Sequence, residues 1–240
     1  MRRALVTGAS GGIGAAVARE LAGAGMRVAA CASTLERARR AADGLGAEPF
    51  AADLSQPGAV SALAAEVTAA GPIDVLACCA GWERVEPFLQ TQPATWDYVL
   101  AVNLRSVIQL SHALLPGMAE RGWGRLVCMA SDAGRVGSPG EAVYSAAKAG
   151  VVALCKTLGQ ELGRRGVTCN AVSPGPTNTR LLETFRWEHP EQAERLRRRI
   201  PTGRFGEPEE VAALVGFLCS DRAGYLNGQV ISVNGGLHSP

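Results

Sequence analysis

From its third residue almost to its last, the chain alternates short apolar, β-branched runs with longer alanine-rich stretches of helical period. Residues 3–7, 27–32, 48–52, 73–79, 125–129, 167–173 and 229–233 read as strands. Between them, 12–24, 34–44, 56–70, 93–121, 143–164 and 207–219 read as helices. Runs such as Arg125-Leu126-Val127-Cys128-Met129 lack the period-two alternation of a half-exposed strand, which predicts burial on both faces. Parallel strands need long crossovers, and helices of this length supply them. The expectation is an α/β fold: a Rossmann-like, doubly wound parallel sheet of about seven strands with helices on both faces. No linker, repeat or low-complexity tail interrupts the chain, so residues 1–240 read as a single domain.

Charge and composition exclude several function classes. The 24 basic and 22 acidic side chains leave a formal charge of +2, so no nucleic-acid surface is implied. No run reaches the roughly 18 uninterrupted apolar residues of a membrane span. The opening Met1-Arg2-Arg3-Ala4-Leu5 enters a strand at once, without the pattern of a signal peptide. A cytoplasmic protein is expected. The seven cysteines (31, 78, 79, 128, 155, 169 and 219) show no CxxC or zinc spacing, and His112, His189 and His238 are dispersed. Buried free thiols and no metal site follow.

Between the first strand and first helix lies Thr7-Gly8-Ala9-Ser10-Gly11-Gly12-Ile13-Gly14. Glycines here permit a tight turn and let a pyrophosphate reach the free N–H groups at a helix start. Gly8, Ser10, Gly12, Ile13 and Gly14 are the candidate contacts. At the end of the second strand an acid would hold the ribose hydroxyls of NAD and repel a 2′-phosphate. This chain has Ala32 there, followed by Ser33 and Thr34, with Arg37 close by. Either hydroxyl could donate to a phosphate or cap the next helix. The balance favours NADP(H), with NAD(H) as the alternative.

Tyr144 and Lys148 stand four residues apart on a helix, and so share one face. A phenol ordinarily titrates near 10, and a neighbouring cation is expected to bring it towards useful acid–base range. Ser131, at the end of a strand, reaches the same end of a parallel sheet. Lys148 is one of only two lysines in the chain, beside Lys156.

These residues, with Asp53-Leu54, Ala80-Gly81, Asn103, Pro174-Gly175, Thr179 and the ending Asn234-Gly235-Gly236, resemble the short-chain dehydrogenase/reductase family over essentially the whole chain. The resemblance implies a catalytic tetrad of Asn103, Ser131, Tyr144 and Lys148. Tyr144 would exchange the proton and Ser131 would polarise the substrate oxygen. Lys148 would tune the phenol and bind the nicotinamide ribose, and Asn103 would hold a relay water. Asp53 and Leu54 would border the adenine, Ala80 and Gly81 the ribose, and Pro174, Gly175, Thr177 and Thr179 the nicotinamide. Two departures stand out. Cys78-Cys79 replaces the family's usual Asn-Asn, and neither Gly11 nor Ser33 is the basic residue that many NADP-using relatives carry.

Within the family the chain is similar to reductases of 3-oxoacyl thioesters carried on acyl carrier protein or CoA. A polyketide-type ketone is a further substrate class. Ala80-Gly81-Trp82-Glu83 and Ser131-Asp132-Ala133-Gly134-Arg135 also resemble NAD-linked dehydrogenases of cyclic 2-hydroxyacyl-CoA esters, which is the alternative reading. A non-catalytic nucleotide-binding scaffold is the remote one, since none of the motif residues is degenerate. A homotetramer is implied by the resemblance, without nucleic-acid or membrane partners. The polar segment 178–200 reads as a substrate lid, with Arg197, Arg198 and Arg199 set to meet the phosphate of a carrier.

Overall fold

The computed structural model describes residues 1–239; Pro240, the last residue of the expected domain, lies outside the described residues. In chain order the elements are β1 (Arg3–Thr7), α1 (Gly12–Gly23), β2 (Arg27–Ala32), α2 (Leu35–Ala42), β3 (Glu48–Ala51), α3 (Pro57–Ala69) and β4 (Val75–Cys78). They continue with α4 (Pro93–Leu100), α5 (Ser106–Glu120), β5 (Gly124–Met129), α6 (Ala133–Val136), α7 (Ala142–Leu162) and β6 (Val167–Pro174). The last are α8 (Arg180–Glu188), α9 (Pro190–Arg199), α10 (Pro208–Leu218) and β7 (Val230–Val233).

The strands form one sheet in the order β3-β2-β1-β4-β5-β6-β7, every neighbouring pair parallel. The doubly wound expectation is borne out. Chain direction across the sheet reverses between β1 and β4, and an open α/β sheet binds ligands in the crevice beyond that switch point. The two faces carry separate cores. Leu5, Leu76, Leu126 and Cys169 face α3, α5 and α7, where Leu63, Leu110 and Val151 meet them. Val6, Val28, Ala77 and Val127 face the other way, against Val17 and Leu21 of α1 and Val215 and Leu218 of α10. Successive strand residues therefore alternate between two buried faces, which is why the sequence runs show no polar alternation. Six of the seven cysteines are buried and Cys79 is half-buried, all as free thiols. Cys78 and Cys79 pack as small apolar residues on opposite faces.

Three local readings are corrected. The helix expected over 93–121 is α4 and α5 joined by a π-helical turn, Ala101–Arg105, whose wider winding puts Asn103 in the interior. Pro93–Glu120 is long and apolar enough to cross a bilayer by composition, but more than half of its most apolar 18-residue stretch is buried within the protein. The short helix α6 follows β5 directly, where periodicity gave too few residues to read. The polar segment 178–200 is two amphipathic helices, α8 and α9, with an apolar seam of their own around Leu182, Ile200 and Phe205, joined by Phe185, Leu196 and Leu237.

Candidate active site

The glycine turn is shaped by backbone proximity. A side chain on Gly14 would overlap the Gly8 carbonyl, and one on Gly8 would come within 2.8 Å of Ala80, so β1, α1 and the segment after β4 close tightly on each other. Gly8 and Gly12 have φ of +69° and +52°, the left-handed region where glycine is at ease. Thr7 Oγ1 accepts from the Ala80 N–H at 3.2 Å, tying the turn to the neighbouring strand. No side chain caps the start of α1, so its first N–H groups stay available at the switch-point crevice. This cradle fits the pyrophosphate of a dinucleotide.

At the adenosine end, Thr34 caps α2 through the Arg37 N–H at 3.3 Å, so its hydroxyl has a structural task. Arg37 Nη1 donates to Ser33 Oγ at 3.4 Å, placing these two side chains together. Asp53 Oδ1 accepts from the N–H and hydroxyl of Ser55, at 3.0 and 2.8 Å. Leu54 is buried in the core facing α3 and α5. On the far side, a side chain on Gly175 would come within 2.7 Å of Asn234, and Thr177 Oγ1 donates to Gly175 O at 2.9 Å. Thr179 sets its methyl against Gly12, 3.1 Å from where a β-carbon would be. The segment after β6 thus meets the glycine turn across the crevice.

The chemical groups come from β5, the segment after it, and α7. The Ser131 hydroxyl lies near enough to the Tyr144 phenol to favour its ionised form. Ser131 Oγ accepts from the Ala133 N–H at 3.2 Å, which orients it at the start of α6. A side chain on Gly134 would come within 2.7 Å of the α7 backbone at Lys148 and Ala149, so glycine lets α6 lie on α7 beside the lysine. Lys148 is buried, donates to Met129 O at 2.8 Å and lies 5.4 Å from the centre of the Tyr144 ring.

The electrostatics differ from the sequence expectation. Burial, then Glu83 and Glu141, raises the Tyr144 phenol above its ordinary range; the nearby Ser131 hydroxyl opposes this. Burial pushes Lys148 down to about 8, opposed chiefly by Cys128 and Glu83. Desolvation therefore governs both groups of the pair. Glu83 is held up to about 7 by burial and Glu141, against the pull of Lys148.

Asn103 is fully buried, and its amide is committed to protein. Its Nδ2 donates to Trp82 O at 2.7 Å and Val99 O at 2.9 Å, while Oδ1 accepts from the Trp82 N–H at 3.3 Å. The side chain clamps the segment after β4, which carries Glu83, rather than reaching into the crevice.

Two features escaped the sequence reading. Glu83 and Asp132 both lie in segments the sequence matches to relatives, but nothing there assigns either a role. Asp132, beside Ser131, is buried; its carboxylate accepts from Ser232 Oγ at 3.0 Å and Asn234 Nδ2 at 2.6 Å, bonds spanning about a hundred residues. Two of the three arginines expected to meet a carrier phosphate, Arg197 and Arg198, are engaged elsewhere. Arg197 and Arg198 pair with Glu194 at 2.7 and 3.0 Å, Arg197 also donates to Gly203 O at 2.6 Å, and Arg195 lies 3.6 Å from Glu191.

Comparison with known proteins is consistent with this geometry. A family model described as enoyl-(acyl carrier protein) reductase matches residues 8–238. The chain is 43% identical over 239 residues to an acetoacetyl-CoA reductase of Rhizobium meliloti (strain 1021), covering 98% of each. It is 36% identical to the 3-oxoacyl-[acyl-carrier-protein] reductase FabG of Vibrio cholerae, covering 98% of this chain and 96% of that one. The crystal structure of a single-substitution variant of actinorhodin polyketide ketoreductase with NADPH superposes with a TM-score of 0.93 at 36% identity, covering 98% and 97% of the two chains.

Proposed function

The chain belongs to the short-chain dehydrogenase/reductase family, and on that premise we propose that it reduces the C3 carbonyl of a 3-oxoacyl thioester with NADPH. The observation that carries this reading is the meeting of Tyr144, Ser131 and Lys148 beside the crevice that the uncapped α1 opens into. The similarity to acetoacetyl-CoA and 3-oxoacyl reductases supports the substrate class, and the NADPH complex of the ketoreductase supports the cofactor.

In this reading Gly8, Ser10, Gly12, Ile13 and Gly14 hold the pyrophosphate, and Ser33, Thr34 and Arg37 the adenosine ribose. Asp53, Leu54, Ala80 and Gly81 border the adenine and its ribose, mostly through backbone. Pro174, Gly175, Thr177 and Thr179 flank the nicotinamide, which supplies the hydride when the cofactor is bound. Tyr144 donates its proton to the substrate oxygen. Burial and two nearby carboxylates keep the phenol neutral, so it holds the proton that reduction needs, and Lys148 and the bound cofactor must offset its raised pKa for that proton to leave. Ser131 bonds both the phenol and the substrate oxygen and so aligns them. Lys148 binds the nicotinamide ribose and stabilises the phenolate left after proton transfer. Asn103 acts by fixing the Trp82–Glu83 segment against the site.

We assign the chain to a homotetramer in the cytoplasm. Exposed Tyr98, Leu100 and Ile108 along α4 and α5, with Phe217 and Tyr225 at the other side, support self-association, and seven free cysteines suit a reducing compartment.

A substrate panel, with NADPH for the carbonyl and enoyl substrates and NAD for a cyclic hydroxyacyl-CoA, tests the proposal. Acetoacetyl-CoA should be turned over faster than a cyclic ketone or crotonyl-CoA. Preference for crotonyl-CoA would mean enoyl reduction; activity only towards cyclic hydroxyacyl-CoA with NAD would favour the dehydrogenase alternative.

A further inference from the structure

Beside the glycine turn, a groove of about 640 Å³ runs between α1 and α2. Its lining includes Ser10, Arg19, Arg37, Arg40, Asp43 and, from α8, Arg180. Four guanidinium groups face one concave site with a single carboxylate among the lining residues. Two of them are already compensated: Arg19 pairs with Glu209 at 2.9 Å and Arg40 with Glu36 at 3.3 Å. Among the described residues, no carboxylate lies within ion-pairing distance of Arg37 or Arg180; the Arg37 guanidinium donates to the Ser33 hydroxyl.

Arg180 reaches this site because of its neighbour. Thr179 packs on Gly12, which brings the first turn of α8 onto the glycine turn. Gly11, by contrast, has an extended backbone and nothing within 4 Å of where a side chain would begin. The position stands open beside the groove, with no basic group of its own. The sequence grouped Arg180 with the lid arginines facing substrate; the fold carries it to the opposite, adenosine end of the crevice.

We propose that Arg180 and Arg37 form a two-sided clamp for the 2′-phosphate of NADP(H), with Arg180 delivered by the lid helix in place of a basic residue at Gly11. This rests on the proposed function and adds the residue that sets its cofactor preference. Two guanidiniums suit a phosphate dianion because each donates through a planar fork and keeps its charge at any working pH. One jaw belongs to α2 and the other to α8. Recognition of the phosphate therefore also anchors the lid, which a cofactor lacking that phosphate does not do.

Calorimetry with 2′,5′-ADP and with 5′-AMP, on wild type, Arg37→Ala, Arg180→Ala and Arg180→Lys, tests the clamp without turnover. Wild type should bind 2′,5′-ADP the more tightly. Arg180→Ala should lose affinity for 2′,5′-ADP by about 10- to 100-fold while binding 5′-AMP as wild type does, and Arg180→Lys should recover part of the loss. The unchanged 5′-AMP affinity also shows that the variant is folded. A loss confined to Arg37→Ala, or an equal loss for both ligands in Arg180→Ala, overturns the role of Arg180 and leaves the reductase reading standing. Wild type that fails to distinguish the two ligands overturns the clamp together with the NADPH assignment.

Discussion

Tyr144 illustrates how far a residue's neighbourhood can reverse a local expectation. The i, i+4 spacing correctly brings phenol and ammonium onto one helix face, yet burial and the carboxylates of Glu83 and Glu141 raise the phenol instead of lowering it. Sequence revealed the pair because a helix fixes that spacing; it concealed Glu83, which arrives from the segment after β4, while Glu141 stands at the start of the same helix. Tyr144→Phe keeps the ring and removes the proton. Its kcat should fall by about 10²- to 10⁴-fold, the range for losing a general acid, while the dissociation constant for NADPH measured by fluorescence stays near wild type. Glu83 makes a separate prediction. Its carboxyl sits at about 7 in the fold against an ordinary 4.5, so between these values the folded chain binds more protons than the unfolded one. Stability should fall as pH rises through that window and level off above it, by at most about 3 kcal/mol. Urea unfolding of Glu83→Gln across the same window should show a flatter profile; identical slopes in both proteins would remove Glu83 as the cause.

At the scale of elements, the π-helical turn and α6 explain why the site could be located but not drawn from sequence. A helical period predicts a continuous helix through Asn103, and nothing in that period announces the extra residue of a π turn. Four residues of α6 are too few to show a period at all. The Asp132 network is similarly hidden, since it joins the end of β5 to β7 across the width of one half of the sheet. Asp132→Ala leaves the Ser232 and Asn234 donors without their shared acceptor and should cost about 3 kcal/mol, read by urea unfolding. Because Ser131 is the adjacent residue, kcat should fall as well, with cofactor affinity kept; Asp132→Asn should restore part of both. The lid helices carry the opposite lesson. Their arginines look like a phosphate site in one dimension, but the helical i, i+3 and i, i+4 spacings hand Arg197 and Arg198 to Glu194. Exposed pairs of this kind contribute little to stability and leave little positive charge free for a carrier phosphate. Replacing Arg197, Arg198 and Arg199 by alanine should therefore leave KM for acetoacetyl-CoA within about twofold of wild type. A large rise, weakened by salt, would return these arginines to the substrate site.

Across the whole molecule, the fold was the most legible level. Seven strands in parallel order follow from unalternating apolar runs separated by helix-length crossovers, and the switch point between β1 and β4 fixes where a ligand lies. What the pattern cannot carry is which distant elements share a wall of the crevice: Arg180 is written among lid residues yet lines a groove with Ser10 and Arg37. Subunit assembly is another level that periodicity leaves open. Light scattering at micromolar concentration should give about four times the 24.9 kDa chain mass, and a monomer would refute the tetramer. NADPH-dependent reduction of a 3-oxoacyl thioester is tested most directly by steady-state kinetics with acetoacetyl-CoA, comparing NADPH with NADH. The expected result is 3-hydroxybutyryl-CoA formed in equal amount to the NADPH oxidised, with the higher kcat/KM for NADPH. A higher kcat/KM for NADH, or cofactor oxidation without that product, would contradict it.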